Sequence, residues 1–312
     1  MTSRSISNTS SSSSDSHKPE SDVAPSRAKA RKPRPSPKWL RDNPYVGKIF
    51  RTTKDARWKI LAPLSTLEFQ DDHSPCEARQ VYTCVCLDEP WKAIGECVVK
   101  VKFHNSIRIR ASRRTVEEYQ EMIDDGEAEL RDQNDTRGTR LPAYKDHLKL
   151  CTTPTTSLSS PATRNEIEAL DRLGHEKCQH SPWLCGTSEG TVRPGFHYEA
   201  IDGGYRVLML MNKLPGVTLS MDMFCEMAPE KRKVVREAFK VAWLAVVKCG
   251  VMPIDRGLHN IMWDQETCKC YLVDFEEVDK LRANEMSAPS LGDDELDMWI
   301  PNEDEVAEYL AY

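Results

Sequence analysis

The sequence contains no apolar run that approaches eighteen residues, and its first residues lack the hydrophobic segment of a secretory signal. We therefore expect neither a membrane span nor ordinary secretion. An excess of basic residues is also missing, because the formal net charge is −6, and this argues against a dedicated nucleic-acid-binding protein. The eleven cysteines have no repeated spacing. We expect reduced, mostly buried thiols in an intracellular, cytoplasmic protein rather than a disulfide framework.

Charge is distributed unevenly along the 312 residues. Residues 1–41 hold nine Lys/Arg and three acids, a net charge of +6, which leaves −12 for the rest of the chain. This segment contains a serine run at 10–14, five prolines and almost no apolar side chains. It cannot offset the entropy of ordering, so we expect disorder. The basic stretch 27–38 is either a solubilising tail, a nuclear-import address or a contact with acidic surfaces.

Hydrophobic periodicity predicts a mixed fold from residue 42 onward. Strands are expected at 58–64, 80–87, 95–103, 197–200, 205–212 and 270–273, and helices at 117–131, 161–173 and 229–249. This order predicts an α+β fold with a strand-rich first lobe and a short helical second lobe. We place the first lobe at 42–213, with an insertion at about 104–162, and the second lobe at 214–312.

The strand at 95–103 carries two lysines on one face. Val99 and Val101 alternate with Lys100 and Lys102, so the two lysines point to the same side of the predicted sheet. A charge beside apolar neighbours often marks a solvated face. Periodicity alone does not choose between the two lysines as a functional residue.

The segment 250–278 carries three oxygen-bearing side chains at spacings that suit phosphate chemistry. Asp255 is followed five positions later by Asn260, and Asp274 ends an apolar run and precedes Phe275. Phosphoryl transfer needs one carboxylate that orients the attacking group, together with oxygen ligands that hold Mg²⁺ against the phosphates. A hairpin would bring these residues to one end of two strands.

This segment resembles the catalytic loop and the Asp-Phe metal motif of the protein-kinase-like superfamily, especially its aminoglycoside- and choline-kinase-like branch. The stretch from 203 to 276 is also similar to a fungal group of kinase-like proteins. The resemblance implies a bilobal protein-kinase-like fold that uses ATP and Mg²⁺. It implies Asp255 as the catalytic base and Asn260 and Asp274 as magnesium ligands. Glu276 stands where protein kinases have a glycine.

The resemblance extends to the predicted strand and helix upstream. Val98-Val99-Lys100 is similar to the strand whose lysine binds the α- and β-phosphates, which favours Lys100 over Lys102. The helix at 161–173 is similar to the helix whose glutamate pairs with that lysine. Its pattern favours Glu166 over Glu168.

The strand at 205–212 and the residues after it resemble the hinge of these proteins. The resemblance implies that backbone groups around Met211 to Lys213 bind adenine.

Three departures from the family pattern concern the catalytic machinery. Pro253 replaces the histidine that braces the catalytic loop. The loop between the first two strands should be rich in glycine, but only Gly95 occurs between residues 49 and 124, so Ser65 and Thr66 are the polar candidates there. With 38 residues after Asp274, we expect no room for the segment that binds peptide substrates, and therefore no conventional protein kinase.

These observations leave three functional hypotheses. The first is an ATP-dependent phosphotransferase that acts on a small-molecule hydroxyl or amine. The second is a pseudokinase that serves as a nucleotide-binding or protein-interaction module. The third is an atypical protein-modifying kinase or complex subunit.

A separate group of metal-ligating residue types follows the helix at 161–173. Its spacing matches no standard zinc pattern, so packing is the favoured interpretation and zinc the alternative. The group consists of His175, Cys178, His180 and Cys185.

Overall fold

The computed structural model describes residues 43–70, 76–105, 160–194, 200–281 and 290–311, with a few positions between 120 and 155. The described residues all belong to one compact unit. The predicted tail at 1–41 and most of the predicted insertion lie outside the described residues. Within the helix predicted at 117–131, the positions that are described are helical.

Seven strands form one antiparallel sheet. The strands are β1 (Ile49–Arg51), β2 (Arg57–Pro63), β3 (Glu68–Gln70), β4 (Glu77–Cys86), β5 (Glu96–His104), β6 (Leu184–Thr191) and β7 (Tyr205–Asn212). Their order in the sheet is β1-β2-β4-β5-β7-β6, and β3 pairs with β4. The predicted strands at 58–64, 80–87, 95–103 and 205–212 correspond to β2, β4, β5 and β7. The strand predicted at 197–200 lies outside the described residues except for Ala200, which forms an isolated bridge with Asn105.

The two faces of β5 have different surroundings, as its alternation predicts. Val99, Val101 and Phe103 are buried in a hydrophobic cluster together with Tyr82 of β4. Lys100 and Lys102 point to the other face, yet both are buried as well. The lysine face is therefore covered by protein rather than solvated.

Helix α1 (Pro161–His175) covers part of this sheet and confirms the helix predicted at 161–173. Ser160 caps it, because its hydroxyl accepts a hydrogen bond from the Thr163 N–H at 3.3 Å. Proline at the first helical position suits this start. The buried stripe of the helix includes Leu170, Leu173 and one charged residue, Glu166.

Beyond residue 212 the described residues contain four α-helices and five short strands. The helices are α2 (Met221–Cys225), α3 (Pro229–Lys248), α4 (Asp293–Trp299) and α5 (Glu303–Leu310). The strands are β8 (Val217–Thr218), β9 (Val251–Pro253), β10 (Ile261–Asp264), β11 (Lys269–Leu272) and β12 (Val278–Lys280). They form two small antiparallel sheets, with orders β11-β10-β8 and β12-β9.

Helix α3 is the centre of this second part. Val235, Phe239, Trp243 and Val246 are buried in a cluster that also contains Trp299 of α4. Burying an apolar side chain of this size contributes about 1.5–3 kcal/mol. The α+β prediction, with strands concentrated in the first part and a small helical second part, is confirmed. None of the helices in the described ranges has the length and apolar character that a membrane crossing requires.

The turn after β7 depends on a glycine. Gly216 has φ +89°, and a Cβ at this position would lie 2.3 Å from the Trp263 carbonyl oxygen of β10. We expect Gly216→Ala to lower the free energy of unfolding by about 3 kcal/mol, because a positive-φ penalty adds to an overpacking penalty. Urea denaturation measures the change.

Gly203→Ala is the matched control. Gly203 also has a positive φ of +81°, but nothing lies within 4 Å of the added Cβ. We expect it to cost only about 1 kcal/mol, the backbone penalty alone. Equal losses in the two variants would show that the approach to Trp263 is not what requires glycine at position 216.

Candidate functional site

The structure brings Lys100, Glu166 and Asp274 together from three separate elements. The Lys100 ammonium nitrogen lies 2.8 Å from Glu166 Oε1 of α1 and 3.0 Å from Asp274 Oδ1, which follows β11. The side chains of Lys100 and Glu166 are 6% and 3% exposed. The sheet, the helix and the hairpin therefore converge on one buried ammonium group.

The structure distinguishes Lys100 from Lys102, and Glu166 from Glu168, by the groups that each side chain contacts. Lys102 Nζ lies 3.6 Å from Glu166 Oε2, so its contact with that glutamate is longer than the one from Lys100. Glu168 lies away from this group and pairs with Lys280 of β12. The geometry thus favours Lys100 and Glu166 as the ion pair that the resemblance implies.

Glu276 occupies the centre of the group, although the sequence marked it only as a departure from glycine. Its Oε1 atom lies 2.7 Å from Lys100 Nζ, 2.8 Å from Lys102 Nζ and 2.8 Å from Arg79 Nη1. Gln70 of β3 also donates a hydrogen bond to its carboxylate. One carboxylate oxygen is therefore within ion-pair distance of three cations.

Arg79 is a member of the site that sequence reasoning missed. Besides Glu276, its Nη1 contacts Asp274 Oδ2 at 2.7 Å, and its Nε contacts Glu68 at 2.9 Å. Arg79 lies directly opposite Lys102 in the β4–β5 register, and directly opposed residues share a face of the sheet. The signal was the register of the two strands, which a single sequence does not give.

Glu77 anchors the edge of the same face. It is 1% exposed, and its carboxylate accepts hydrogen bonds from Ser160 at 2.8 Å, Thr163 at 2.6 Å and Tyr205 at 2.7 Å. Lys102 Nζ lies 3.7 Å away. Glu77 therefore ties the start of α1 to the strands that carry the cations.

The electrostatics of the site are those of a buried, mutually paired ion network. Burial alone would lower the pKa of Lys100, but the charges of Asp274, Glu166 and Glu276 more than offset it, and the pKa lies above its usual value. Burial opposes ionisation of Glu276, but Lys100, Lys102 and Arg79 hold its pKa well below the usual range. Burial raises the pKa of Glu166, and the nearby lysines offset this only in part.

Asp255 and Asn260 meet at the start of the β10–β11 hairpin. Asn260 Nδ2 donates to Asp255 Oδ2 at 2.8 Å, and the Asn260 carbonyl accepts from the Val273 N–H at 3.0 Å. The Asp255 side chain is 47% exposed and is therefore accessible from solvent. His259 Nε2 lies 3.2 Å from the same Asp255 oxygen.

Strand pairing fixes the segment before Asp255, at the position where the proteins that the sequence resembles have a histidine. Pro253 ends β9 and lies opposite Val278 of β12. The next residue, Ile254, donates its N–H to the Glu277 carbonyl at 3.0 Å. The loop that presents Asp255 is thus tied to the segment after Asp274 by backbone hydrogen bonds.

Asp274 has a left-handed backbone conformation, with φ +62°. Such a φ costs a residue other than glycine about 1–2 kcal/mol, and strain of this kind concentrates at functional sites. Its two carboxylate oxygens are each bound by a cation, Oδ1 by Lys100 and Oδ2 by Arg79. These contacts hold the carboxylate in place.

The donor chemistry at the hairpin fits Mg²⁺, which prefers oxygen ligands. The Asn260 amide nitrogen faces Asp255, and this orientation leaves the amide oxygen as its ligand atom. Magnesium at Asp274 has to compete with Arg79 for Oδ2. Oxygens of Glu166, Asp274 and Glu276 lie within 4.8 Å of one another, but the Lys100 ammonium contacts all three and takes that place.

Of the two predicted adenine contacts, Met211 lies inside the sheet. Met211 pairs with Val98 on β5 and with Leu184 on β6, so its backbone groups belong to the sheet. Lys213 lies just beyond the end of β7, with its side chain exposed and 3.2 Å from Glu96.

Ser65 has a structural role in the short loop between β2 and β3. Its hydroxyl accepts from the Val81 N–H at 3.0 Å and donates to the Thr66 carbonyl at 2.9 Å. These bonds fasten the loop to β4 rather than leaving the hydroxyl available for a phosphate.

The Cys/His group does not form a metal site. Cys178 packs in the cluster around α3, and Cys185 packs in the cluster beneath the large sheet. Among the residues that the structure describes, the one cluster of candidate metal ligands is the carboxylate group around Lys100. The packing interpretation of these cysteines is the one that fits.

No protein-family model and no curated protein sequence matches this chain. Similar solved structures include the Cydia pomonella granulovirus kinase PK-1, at 12% identity and a TM-score of 0.36, and vaccinia related kinase 3, at 9% identity and a TM-score of 0.35. The matches cover 76% and 78% of this chain and 55% of each kinase, so the chain spans about half their length. Similarity at this level does not define the site, whose interpretation depends on its own geometry.

Proposed function

We propose that this protein is a kinase-like phosphotransferase that binds Mg²⁺ and ATP and transfers the γ-phosphoryl group to a small-molecule hydroxyl or amine. The observation that carries the proposal is the position of Lys100, whose ammonium lies 2.8 Å from Glu166 and 3.0 Å from Asp274. Phosphoryl transfer depends mainly on positioning and on charge stabilisation. A buried cation beside a candidate magnesium ligand supplies both.

Each residue has a distinct task in this mechanism. Lys100 binds phosphate oxygens, and Glu166 holds its ammonium in place. Asp255 accepts the proton of the acceptor, the acceptor atom bonds to the γ-phosphorus, and the bond from that phosphorus to the β–γ bridging oxygen breaks to release ADP. Magnesium held by Asn260 and Asp274 would neutralise charge on the phosphates.

Two further features support this class of function. The exposed side chain of Asp255 suits a base that must reach an external acceptor. The sequence resemblance to the aminoglycoside- and choline-kinase-like branch favours a small acceptor over a peptide. The first backbone groups beyond β7, from Lys213 onward, are the candidates for adenine contact.

A second candidate function is that of a pseudokinase, and one contact favours it. Arg79 binds the Asp274 oxygen that a magnesium ion would need, at 2.7 Å, and also binds Glu276 at 2.8 Å. A protein that kept this arrangement permanently would bind nucleotide without magnesium and would act as an interaction module.

Thermal denaturation with ATP, with and without Mg²⁺, separates the two candidates. We expect saturating ATP with Mg²⁺, at about one hundred times its Kd, to add about 2.7 kcal/mol to stability. The magnesium-dependent part should disappear in Asp274→Asn. Asparagine tolerates the left-handed φ of position 274, so the backbone is kept.

Asp279→Asn is the control for this measurement, because Asp279 is an exposed carboxylate on the nearby strand β12. It should keep the full response to Mg²⁺ and ATP. An ATP response that is equal with and without magnesium in the wild-type protein would favour the pseudokinase and contradict the transferase proposal.

A further inference from the structure

Three basic side chains surround a single acceptor atom at the bottom of the site. Arg79, Lys100 and Lys102 approach Glu276 Oε1 to 2.8, 2.7 and 2.8 Å. The side chains of the two lysines are 6% and 0% exposed, and that of Arg79 is 25% exposed. Like charges this close together in a buried place require an anion between them.

The cations and their shared anion belong to different parts of the fold. Arg79 and the two lysines lie on the adjacent strands β4 and β5 and share one face of the large sheet. Glu276 follows Asp274 in the segment between β11 and β12. The cations are therefore fixed by a sheet ladder, whereas the anion reaches them from a connecting segment.

We propose that Arg79, Lys100 and Lys102 form a binding site for a polyphosphate chain, and that Glu276 is a built-in counter-ion which the phosphates displace. This inference deepens the proposed function and rests on it, because the polyphosphate is the triphosphate of the nucleotide. A triphosphate brings several negative charges to a place where Glu276 brings one. Arg79 is also well suited to bind a polyphosphate, because a guanidinium group can bind two phosphate oxygens at once.

The proposal accounts for the missing glycine-rich loop. Phosphate sites of that kind use backbone N–H groups, which glycine allows to approach closely. Here the only glycine between residues 49 and 124 is Gly95, which directly precedes β5. The Ser65 hydroxyl is already bonded to the Val81 N–H of β4 and to the Thr66 carbonyl. Side-chain cations from β4 and β5 take over the role of those backbone donors.

Displacement of Glu276 also affects the candidate magnesium ligand. Arg79 Nη1 binds both Glu276 Oε1 and Asp274 Oδ2. When Arg79 turns to a phosphate, Asp274 Oδ2 becomes available to a metal ion. Phosphate binding and magnesium binding are therefore coupled through Arg79.

Titration of the full chain with inorganic tripolyphosphate, ATP and adenosine tests the proposal. We expect Glu276→Gln to bind tripolyphosphate and ATP at least about tenfold more tightly than the wild type, because a competing buried charge is removed. Adenosine, which has no phosphate, should show no such gain. Glu277→Gln, at the exposed next position, should bind all three as the wild type does.

Arg79→Gln gives a second and independent measurement, which is decisive should Glu276→Gln fail to fold. It removes one cation and leaves Glu276 paired with both lysines. We expect it to bind tripolyphosphate at least about tenfold more weakly. Arg57→Gln is the control, since Arg57 forms its ion pair with Asp88 elsewhere on the sheet.

The possible results separate this inference from the proposed function. Tripolyphosphate binding that strengthens in Glu276→Gln and weakens in Arg79→Gln supports the cation site, even where no phosphoryl transfer is found and the transferase proposal fails. Wild-type affinity for ATP and tripolyphosphate in both variants would overturn the inference and leave the transferase proposal standing. Absence of any tripolyphosphate binding to wild type and variants would overturn it too.

Discussion

Lys100→Met is expected to lower the free energy of unfolding by about 3–5 kcal/mol, the usual cost of removing one partner from a buried ion network. Lys100 contacts three carboxylates within 3.0 Å, those of Glu166, Asp274 and Glu276. Methionine fills a similar volume but supplies no charge, so these carboxylates lose a shared cation in a buried place. Chemical denaturation measures the loss. The same variant should also lose most of its affinity for tripolyphosphate and ATP.

The double variant Lys100→Met/Glu166→Leu tests whether the loss of stability comes from a buried carboxylate that is left without its cation. Removal of both partners of a buried ion pair is often close to neutral, so the double variant should be more stable than Lys100→Met alone. Lys59→Met, at an exposed position of β2, should change stability by no more than about 0.5 kcal/mol. Equal stability of Lys100→Met and the wild type would contradict the account of the site as a mutually dependent ion network.

The residues whose spacing lies within one element were the ones that could be predicted from sequence. Alternation along β5 placed Lys100 and Lys102 on one face, whereas the choice of Glu166 over Glu168 came from the family pattern that the helix at 161–173 resembles. The hairpin brought Asn260 beside Val273, next to Asp274, as its apolar strands implied. Local periodicity was sufficient for the shared face of the two lysines, because alternation along a strand fixes the side on which each side chain lies.

Arg79 and the role of Glu276 could not be predicted, because they depend on how elements meet. Arg79 faces the site only through the pairing of β4 with β5, and strand register is set by tertiary packing. The sequence showed only that Glu276 stands where protein kinases have a glycine, and it gave no indication that three cations would converge on one of its oxygens.

Strand β6 shows the same limit in the fold. Its residues Leu184–Thr191 include two glycines and few β-branched apolar side chains, so no strand pattern is visible. The segment forms a strand because it pairs with the edge of β7 at seven positions. The loop before Asp255 is a similar case, since β9 and β12 are short and are held by each other rather than by local propensity.

Asp255→Asn is expected to reduce the rate of phosphoryl transfer by about 10²–10⁴-fold, the range for loss of a general base, with little change in the affinity for ATP. Asparagine has the same shape, and its side-chain oxygen can still accept the hydrogen bond that Asn260 Nδ2 donates at 2.8 Å. The loop geometry should therefore persist while the proton acceptor is lost. Single-turnover kinetics with a phosphorylated acceptor as product, together with direct titration of ATP, separate the two effects.

Because Asp255 is exposed and touches none of the buried cations that hold Glu276, its substitution should leave stability nearly unchanged. Asp255→Asn should therefore differ from Lys100→Met, in which both the stability and the affinity for tripolyphosphate and ATP should fall. Asp279→Asn, another exposed carboxylate, should keep the wild-type transfer rate. If Asp255→Asn transfers the phosphoryl group as fast as the wild type does, a group other than Asp255 is the general base. A parallel fall in rate and in ATP affinity would instead mean that Asp255 organises the binding site rather than accepting the proton.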